Sequence, residues 1–319
     1  MRVVALVPGG IDAQILFFPT LDDLKRNYPD AHIDVVLEPR AVGAYRVCKS
    51  VEELFKFDFK DRNGPADWGN FLGNVREREY DVAISMGQDW FLSLYLWLTG
   101  IRTRIGYKDV GAIFLTSPVP LKSQQYAAHM YHDLLQALGI NSPCPELAVN
   151  VPKPDIDWAE SQQKQLGIQE SGYILIHAGS SQLAGAKGID NIYPVKNWKQ
   201  IIQNLQQRQP SISVVVLQGS EDEQLVRELL QSCPDIKVTS PPDIGKTAAM
   251  IAGANLMLCT DSTPMHLAVA VQTYTIALFG PTEPQKLLPN SARFVAIKSP
   301  STKMSDISPQ TVLERVWSG

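Results

Sequence analysis

The sequence predicts an α/β protein built from two doubly wound parallel sheets, on three observations. Short apolar runs of strand length alternate with helical patterns along almost the whole chain, as βαβ units require. At 319 residues the chain is long for one core and suits two domains of about 150 residues each. The pattern also stops and restarts. From Asn141, Pro143 and Pro145 to Pro152 and Pro154 the chain is proline-rich and irregular, which sets a domain boundary there.

In order, the first half reads as a strand at Val3–Val7, a helix over about 13–27, a strand at His32–Leu37 and a helix near 41–48. A strand at Asp81–Ser85, a helix over 89–99 and a strand at Arg104–Gly106 follow, then a helix near 124–138 that ends on Gly139, a glycine of the helix-terminating kind. The second half restarts with Tyr173–His177, helix 195–208, Ser213–Leu217, helix 221–231, Ile236–Val238, helix 245–252, Leu256–Cys259, helix 264–271 and Tyr274–Phe279. A last helix, about 308–317, carries Val312, Val316 and Trp317, whose apolar face must cover something. The resulting division is 1–150, 151–305 and a terminal helix within 306–319.

Composition narrows the function. With 45% apolar and 19% charged residues and a net charge of −4, the chain is an ordinary globular protein with no sign of disorder. No long Lys/Arg run is present to bind a phosphate backbone, so nucleic acid is not an expected partner. Cys48, Cys144, Cys233 and Cys259 are widely spaced, without metal-finger or redox spacing, and suit reduced thiols and a cytoplasmic location. The apolar run at the amino terminus breaks at Pro8-Gly9-Gly10, too early for a secretory signal. Trp90–Gly100 falls well short of the roughly 20 residues that span a bilayer.

Residues 255–284 carry the strongest functional signal. A strand-length run from Asn255 to Cys259 meets Asp261, Ser262 and Thr263, all with capping side chains, and then Pro264, which suits the first helical position. Backbone amides and the dipole at such a helix start favour an anion at the carboxyl end of a parallel sheet, and a diphosphate fits.

This segment resembles the donor-binding signature of the ADP-heptose:lipopolysaccharide heptosyltransferase family, glycosyltransferase family 9. The match runs through Asp261, Ser262, Pro264, Met265, His266, Leu267 and Ala268, then Phe279, Gly280, Pro281 and Thr282, with Thr263 where the family prefers Gly. Arg104-Ile105-Gly106-Tyr107, His129 with the helix end Leu134–Gly139, His177-Ala178-Gly179-Ser180, and Gly219 with Glu223 agree in order along the chain. The resemblance implies a GT-B fold, with two Rossmann-like domains facing a cleft that holds a nucleotide-sugar. It further implies inverting, metal-independent transfer of a heptose or related sugar from an NDP-sugar, ADP-linked by the family's preference, with no cofactor. The acceptor would be a lipopolysaccharide or other surface glycan, reached in the cytoplasm or at the inner membrane face. In such a fold the terminal helix often crosses back to the first domain.

Carried over residue by residue, the resemblance also exposes departures. The family's general base is an Asp six residues before a proline. Counting back from Pro19 reaches Ala13, while the carboxylate is Asp12. One position at a helix start is about 100° of rotation, so Asp12 is either a displaced base or the helix N-cap. Ala13 itself accepts no proton, which leaves open a binding homologue without transfer activity. Ser180 falls in a loop that the family places near the donor phosphates, or else in a plain small-residue connection. Asn191 occupies the position of a phosphate-contacting Lys, and Lys187 is the nearest cation.

Glu223 matches a ribose-binding Glu, whereas Glu221 and Asp222 read more simply as acids favoured by a helix dipole. His266 either donates to the departing diphosphate or is a satisfied core histidine. The Gly245-Lys246-Thr247 run is not a phosphate-binding P-loop, because Ser240 stands where that motif needs Gly. His129 and His132 lack a third ligand at metal-binding spacing. The aromatic stretch 90–98 reads first as a buried helix; contact with a lipid headgroup layer is the alternative, since the family's acceptors are membrane-borne. A nicotinamide-dependent oxidoreductase is disfavoured because G-x-G-x-x-G does not follow the first strand.

Overall fold

The computed structural model describes residues 1–59, 63–179 and 192–318 and divides into two compact units, Met1–Asn150 and Val151–Gly319. In the first unit β1 (Arg2–Val7), β2 (His32–Leu37), β3 (Glu53–Lys56), β4 (Val82–Ser85), β5 (Thr103–Tyr107) and β6 (Ser117–Val119) pair in the order β3-β2-β1-β4-β5-β6, all parallel. In the second, β7 (Tyr173–His177), β8 (Ser213–Leu217), β9 (Lys237–Thr239), β10 (Leu256–Thr260), β11 (Thr275–Phe279) and β12 (Phe294–Lys298) run β12-β11-β10-β7-β8-β9, again parallel. Both orders reverse direction once, between β1 and β4 and between β7 and β10. In doubly wound sheets, ligands bind outside the carboxyl ends of the strands at that reversal.

The central strands are near-continuous apolar runs because helices cover both faces. Val3 to Val7, and every residue of β7, β10 and β11, are buried. The strands missing from the sequence reading, β3, β6 and β12, all lie at sheet edges. Edge strands carry charge or proline because one ladder is open. Glu53-Leu54-Phe55-Lys56 and Ser117-Pro118-Val119 therefore have no strand-like apolar run. The helix Pro65–Glu77, with Gly69 and Gly73 inside it, was also unreadable from its pattern. A third correction concerns the prolines near 152. They open a helix, Lys153–Gln165, with Pro154 in its first turn, where a missing N–H costs nothing.

The terminal helix, Pro309–Trp317, uses within the second unit the apolar face that the resemblance sent to the first. Val312 and Leu313 join the core that contains Trp198, Ile201 and Leu205, Trp317 Nε1 donates to Asn204 Oδ1 at 3.1 Å, and the Arg208 guanidinium lies 4.6 Å from the Trp317 ring centroid. In the first unit the long helix Ile11–Asn27 is held to the segment 127–142 by a buried polar knot. His132 Nε2 and Ser142 Oγ bond Asp23 Oδ2 at 2.8 and 2.7 Å. His132 is thus a structural partner, and His129 stacks edge-on against Tyr126. No cluster of three or more metal-ligating side chains occurs among the described residues.

Candidate functional site

In the second unit the reversal point lies between the ends of β7 and β10, and a chain of side chains ties them together. The Asp222 carboxylate, which only accepts, lies 3.1 Å from His177 Nε2; His177 Nδ1 lies 3.0 Å from Ser262 Oγ. With its proton on Nε2, a neutral imidazole presents Nδ1 as an acceptor, and the Ser262 hydroxyl donates to it. The Thr260 carbonyl, at 3.1 Å, is the alternative acceptor for that hydroxyl's single proton. Asp222 also accepts the Gly219 amide at 3.0 Å, and both His177 and Asp222 are buried.

This chain changes what the helix start can do. The helix runs Thr263–Ala270 with Ser262 in the N-cap position, yet Ser262 makes no capping hydrogen bond. An N-cap serine ordinarily satisfies one of the first-turn amides. Here its hydroxyl is diverted to β7, and Pro264 falls in the first turn as expected. Gly179, one residue beyond Ala178, has φ +112°, a conformation that favours glycine.

Around this start the expected residues gather in part. Asp261 Oδ2 accepts the Thr282 hydroxyl at 2.6 Å, which joins the β10 and β11 loops. Lys298, at the end of β12, donates to the Thr282 carbonyl at 2.8 Å and pairs with Glu283 at 3.2 Å. It is a cation that the reading missed, because its strand was unrecognised. His266 is 1% exposed, and its Nδ1 has no hydrogen-bond partner among the described residues. It is buried, as the core reading held, but not satisfied at that nitrogen. Thr260 Oγ1, also buried, is in the same state.

One carboxylate departs from the dipole expectation. Asp222 is the buried partner of His177, a role that only the tertiary fold defines. Glu223, the ribose candidate, opens the helix Glu223–Ser232 with its carboxylate on the surface, bonded to Arg227 at 2.8 Å. Ser180, Lys187 and Asn191 lie outside the described residues. The Gly245-Lys246-Thr247 run begins a helix capped by Asp243, whose side chain accepts the Lys246 amide, and Lys246 Nζ reaches buried Asp155 at 3.1 Å.

In the first unit the reversal point is the β1 loop. Gly10 occupies the N-cap position and Asp12 sits in the first turn of the helix, so Asp12 is not the cap. It is partly exposed, where the helix dipole favours a carboxylate. Gly9 has φ +127°, and a Cβ there would come within 2.9 Å of the Ala13 Cβ. Residue 13 therefore packs directly over the loop. Gln14, fully buried and not anticipated, pins that loop by donating to the Val7 carbonyl at 2.8 Å while accepting from Tyr45 at 2.9 Å. A separate cavity of about 360 Å³, lined by Phe55, Asn63, Phe71 and Arg78 among others, includes none of these residues.

Burial pushes the thiols of Cys48 and Cys144 up to about 12, so neither is a nucleophile at neutral pH. No helix among the described residues is long and apolar enough to cross a membrane.

Comparison with known proteins agrees with this arrangement. The chain is 26% identical over 286 residues to lipopolysaccharide heptosyltransferase 3 of Escherichia coli, covering 84% of this chain and 80% of that protein. It is also 24% identical over 342 residues to the photosynthetic NDH subunit of subcomplex B 1, chloroplastic, of Arabidopsis thaliana, covering 98% of this chain and 72% of that protein. Among solved structures, an E. coli heptosyltransferase with ADP-2-deoxy-2-fluoro heptose superposes with a TM-score of 0.75 at 18% identity, over 100% of this chain and 99% of that one. That likeness makes the fold GT-B, with its two parallel six-stranded sheets. The sequence profile described as glycosyltransferase family 9 (heptosyltransferase) matches residues 68–316. Spanning most of the chain and the whole of the second sheet, that match means that the chain belongs to glycosyltransferase family 9, the heptosyltransferase family.

Proposed function

We propose that this chain is an inverting glycosyltransferase that moves a heptose or related sugar from an ADP-linked donor to a lipopolysaccharide or other surface-glycan acceptor. The observation that carries the reading is that Ser262, the N-cap of the helix Thr263–Ala270 at the reversal point of the second sheet, makes no capping hydrogen bond and is held by His177 instead. An anionic diphosphate is the ligand that such a start favours. Two names support the sugar and the nucleotide: the relative from E. coli is a lipopolysaccharide heptosyltransferase, and the solved neighbour holds an ADP-heptose analogue.

In this reading the acceptor hydroxyl attacks the anomeric carbon on the face opposite the diphosphate. The carbon–oxygen bond to the diphosphate breaks, configuration inverts, and the hydroxyl proton passes to Asp12. Charge develops on the departing diphosphate, so groups aimed at it stabilise the transition state more than the bound donor. The start of the helix Thr263–Ala270, Thr282 and a lysine, Lys187 or Lys298, serve that end, while Asp261 holds the Thr282 loop in place by accepting its hydroxyl. Ser180 and Glu223 keep their assignments to phosphate and ribose. The reading involves no metal ion or cofactor.

Ala13 favours a second reading, a homologue that binds a nucleotide-sugar or glycan without transferring it. The Arabidopsis relative, described as a subunit of a larger assembly, points the same way. One experiment separates the two. Thermal unfolding with saturating ADP is expected to shift upward if either an enzyme or a nucleotide-sugar binder is right; no shift with ADP or any other nucleoside diphosphate sinks both and leaves only glycan binding. Transfer from ADP-heptose to a deacylated lipopolysaccharide core supports the enzyme, and binding with turnover seen only after Ala13→Asp supports the second reading.

A further inference from the structure

The inward face of the helix Pro65–Glu77 is only half apolar. A surface helix ordinarily turns a stripe of apolar residues, three and four positions apart, toward the core. Phe71 and Val75 keep to that rule and are buried. Beside them Asn70, Asn74 and the C-cap residue Arg78 succeed one another at four-residue spacing, which sets them in a row along the helix. All five line a cavity of about 360 Å³ between this helix and the edge strand β3. Both ends of the row are fixed. Arg78 donates to Glu53 at 2.7 Å with its guanidinium 4.1 Å from the Phe55 ring centroid, and at the other end Asn63 donates to the Asp58 carbonyl at 2.6 Å while Asp67 accepts the Gly64 amide at 2.8 Å. Between those ends the exposed side chains of Asn70 and Asn74 make no hydrogen bond among the described residues.

We propose that this cavity is a second binding site, separate from the reacting one, and that its ligand is an uncharged saccharide. Its volume falls at the small end of ligand pockets, which run from about 300 to 1,000 Å³. Charge in the lining is balanced, Lys56 and Arg78 against Asp58 and Asp67, and Arg78 already has Glu53 as a partner. Nothing there favours a phosphate or another anion, which would call for an excess of cations. The two amides decide the class of ligand. Each offers two N–H donors and a carbonyl acceptor, and the hydroxyls of a sugar ring donate and accept at once. Neighbouring hydroxyls can therefore meet one amide in pairs, while Phe55 and Phe71 give the C–H face of the ring an apolar wall. None of the residues assigned to transfer lines the cavity, so the site does not rest on the proposed function.

The test is saturation-transfer NMR on the full chain with the methyl α-glycosides of D-glucose, D-galactose and D-mannose, adenosine serving as a counter-probe and ADP and inorganic phosphate as competitors. Transfer to the ring protons of at least one glycoside is expected, undiminished by saturating ADP or phosphate. The double variant Asn70→Ala/Asn74→Ala should weaken that binding about tenfold. Alanine is the better helix former, so the thermal midpoint should hold or rise and lost binding would not be lost folding. Asn74→Trp, which sets a large side chain at the cavity, should abolish the signal. Absence of transfer to every glycoside, or binding that Asn70→Ala/Asn74→Ala leaves intact, would overturn the proposal. So would displacement by ADP, which assigns the sugar to the donor site, displacement by phosphate, or stronger transfer to adenosine than to any glycoside. Failure of ADP itself to bind would sink the transferase reading and leave the saccharide result standing.

Discussion

At the scale of single residues, the second unit depends on a hydroxyl kept from its ordinary task. Replacing His177 by Ala leaves Asp222 buried with one partner fewer and releases Ser262 to cap the helix. It should cost roughly 1–3 kcal/mol of stability and also weaken ADP binding, measured by chemical denaturation and calorimetric titration. Asp222→Asn perturbs the chain more gently. The Gly219 N–H and His177 Nε2 both meet Asp222 at Oδ2, so an amide that turns its nitrogen to His177, moving the ring proton to Nδ1 and reversing the bond to Ser262, gives up the Gly219 bond. Affinity for ADP should change, with a loss of about 1–2 kcal/mol of stability for the unpaired amide. Unchanged affinity in both variants would make the chain merely structural. In the first unit, Gly9→Ala should destabilise by about 1–3 kcal/mol, since φ +127° and the 2.9 Å approach to Ala13 leave no room for a methyl group.

Among elements, the polar knot between the first helix and segment 127–142 gives the fold an acid limit. Burial raises the Asp23 carboxyl, but hydrogen bonds from Ser142 and His132 outweigh burial and hold it below its ordinary 3.8. A carboxylate whose folded value is depressed contributes stability above its unfolded value and loses it as pH falls through the folded one. That contribution is therefore complete above about pH 4 and fades in stronger acid. His132→Asn should raise the acid-unfolding midpoint, read by circular dichroism; an unmoved midpoint would remove the knot from the acid limit. Elements also divide by how legible they were. Central strands such as Tyr173–His177 and Ser213–Leu217 were readable to the residue, because burial on both faces demands continuous apolar runs. Edge strands β3, β6 and β12 were not, and Lys298 went unnoticed with its strand.

Taken as a whole molecule, each unit has its own sheet and core, as Ile174, Trp198 and Leu229 in one and Val4, Phe71 and Leu96 in the other illustrate. If the nucleotide binds the second unit, ADP should raise that unit's calorimetric transition, with about 2.7 kcal/mol of stabilisation at a hundredfold excess over Kd. Equal stabilisation of both transitions would mean that the units unfold as one. What the sequence settled without help was the class of fold, the repeated alternation of strand and helix, and the helix start at Ser262–Pro264, all of which follow from local periodicity and capping chemistry. Which hydroxyl is diverted, which carboxylate is buried, and which aromatic helix faces outward, Trp90 and Trp97 being half exposed, were decided only by tertiary structure. Asp222, His177 and Ser262 stand 40 or more residues apart in the chain, and no local pattern encodes a hydrogen bond between the ends of strands that become neighbours only when the sheet is assembled.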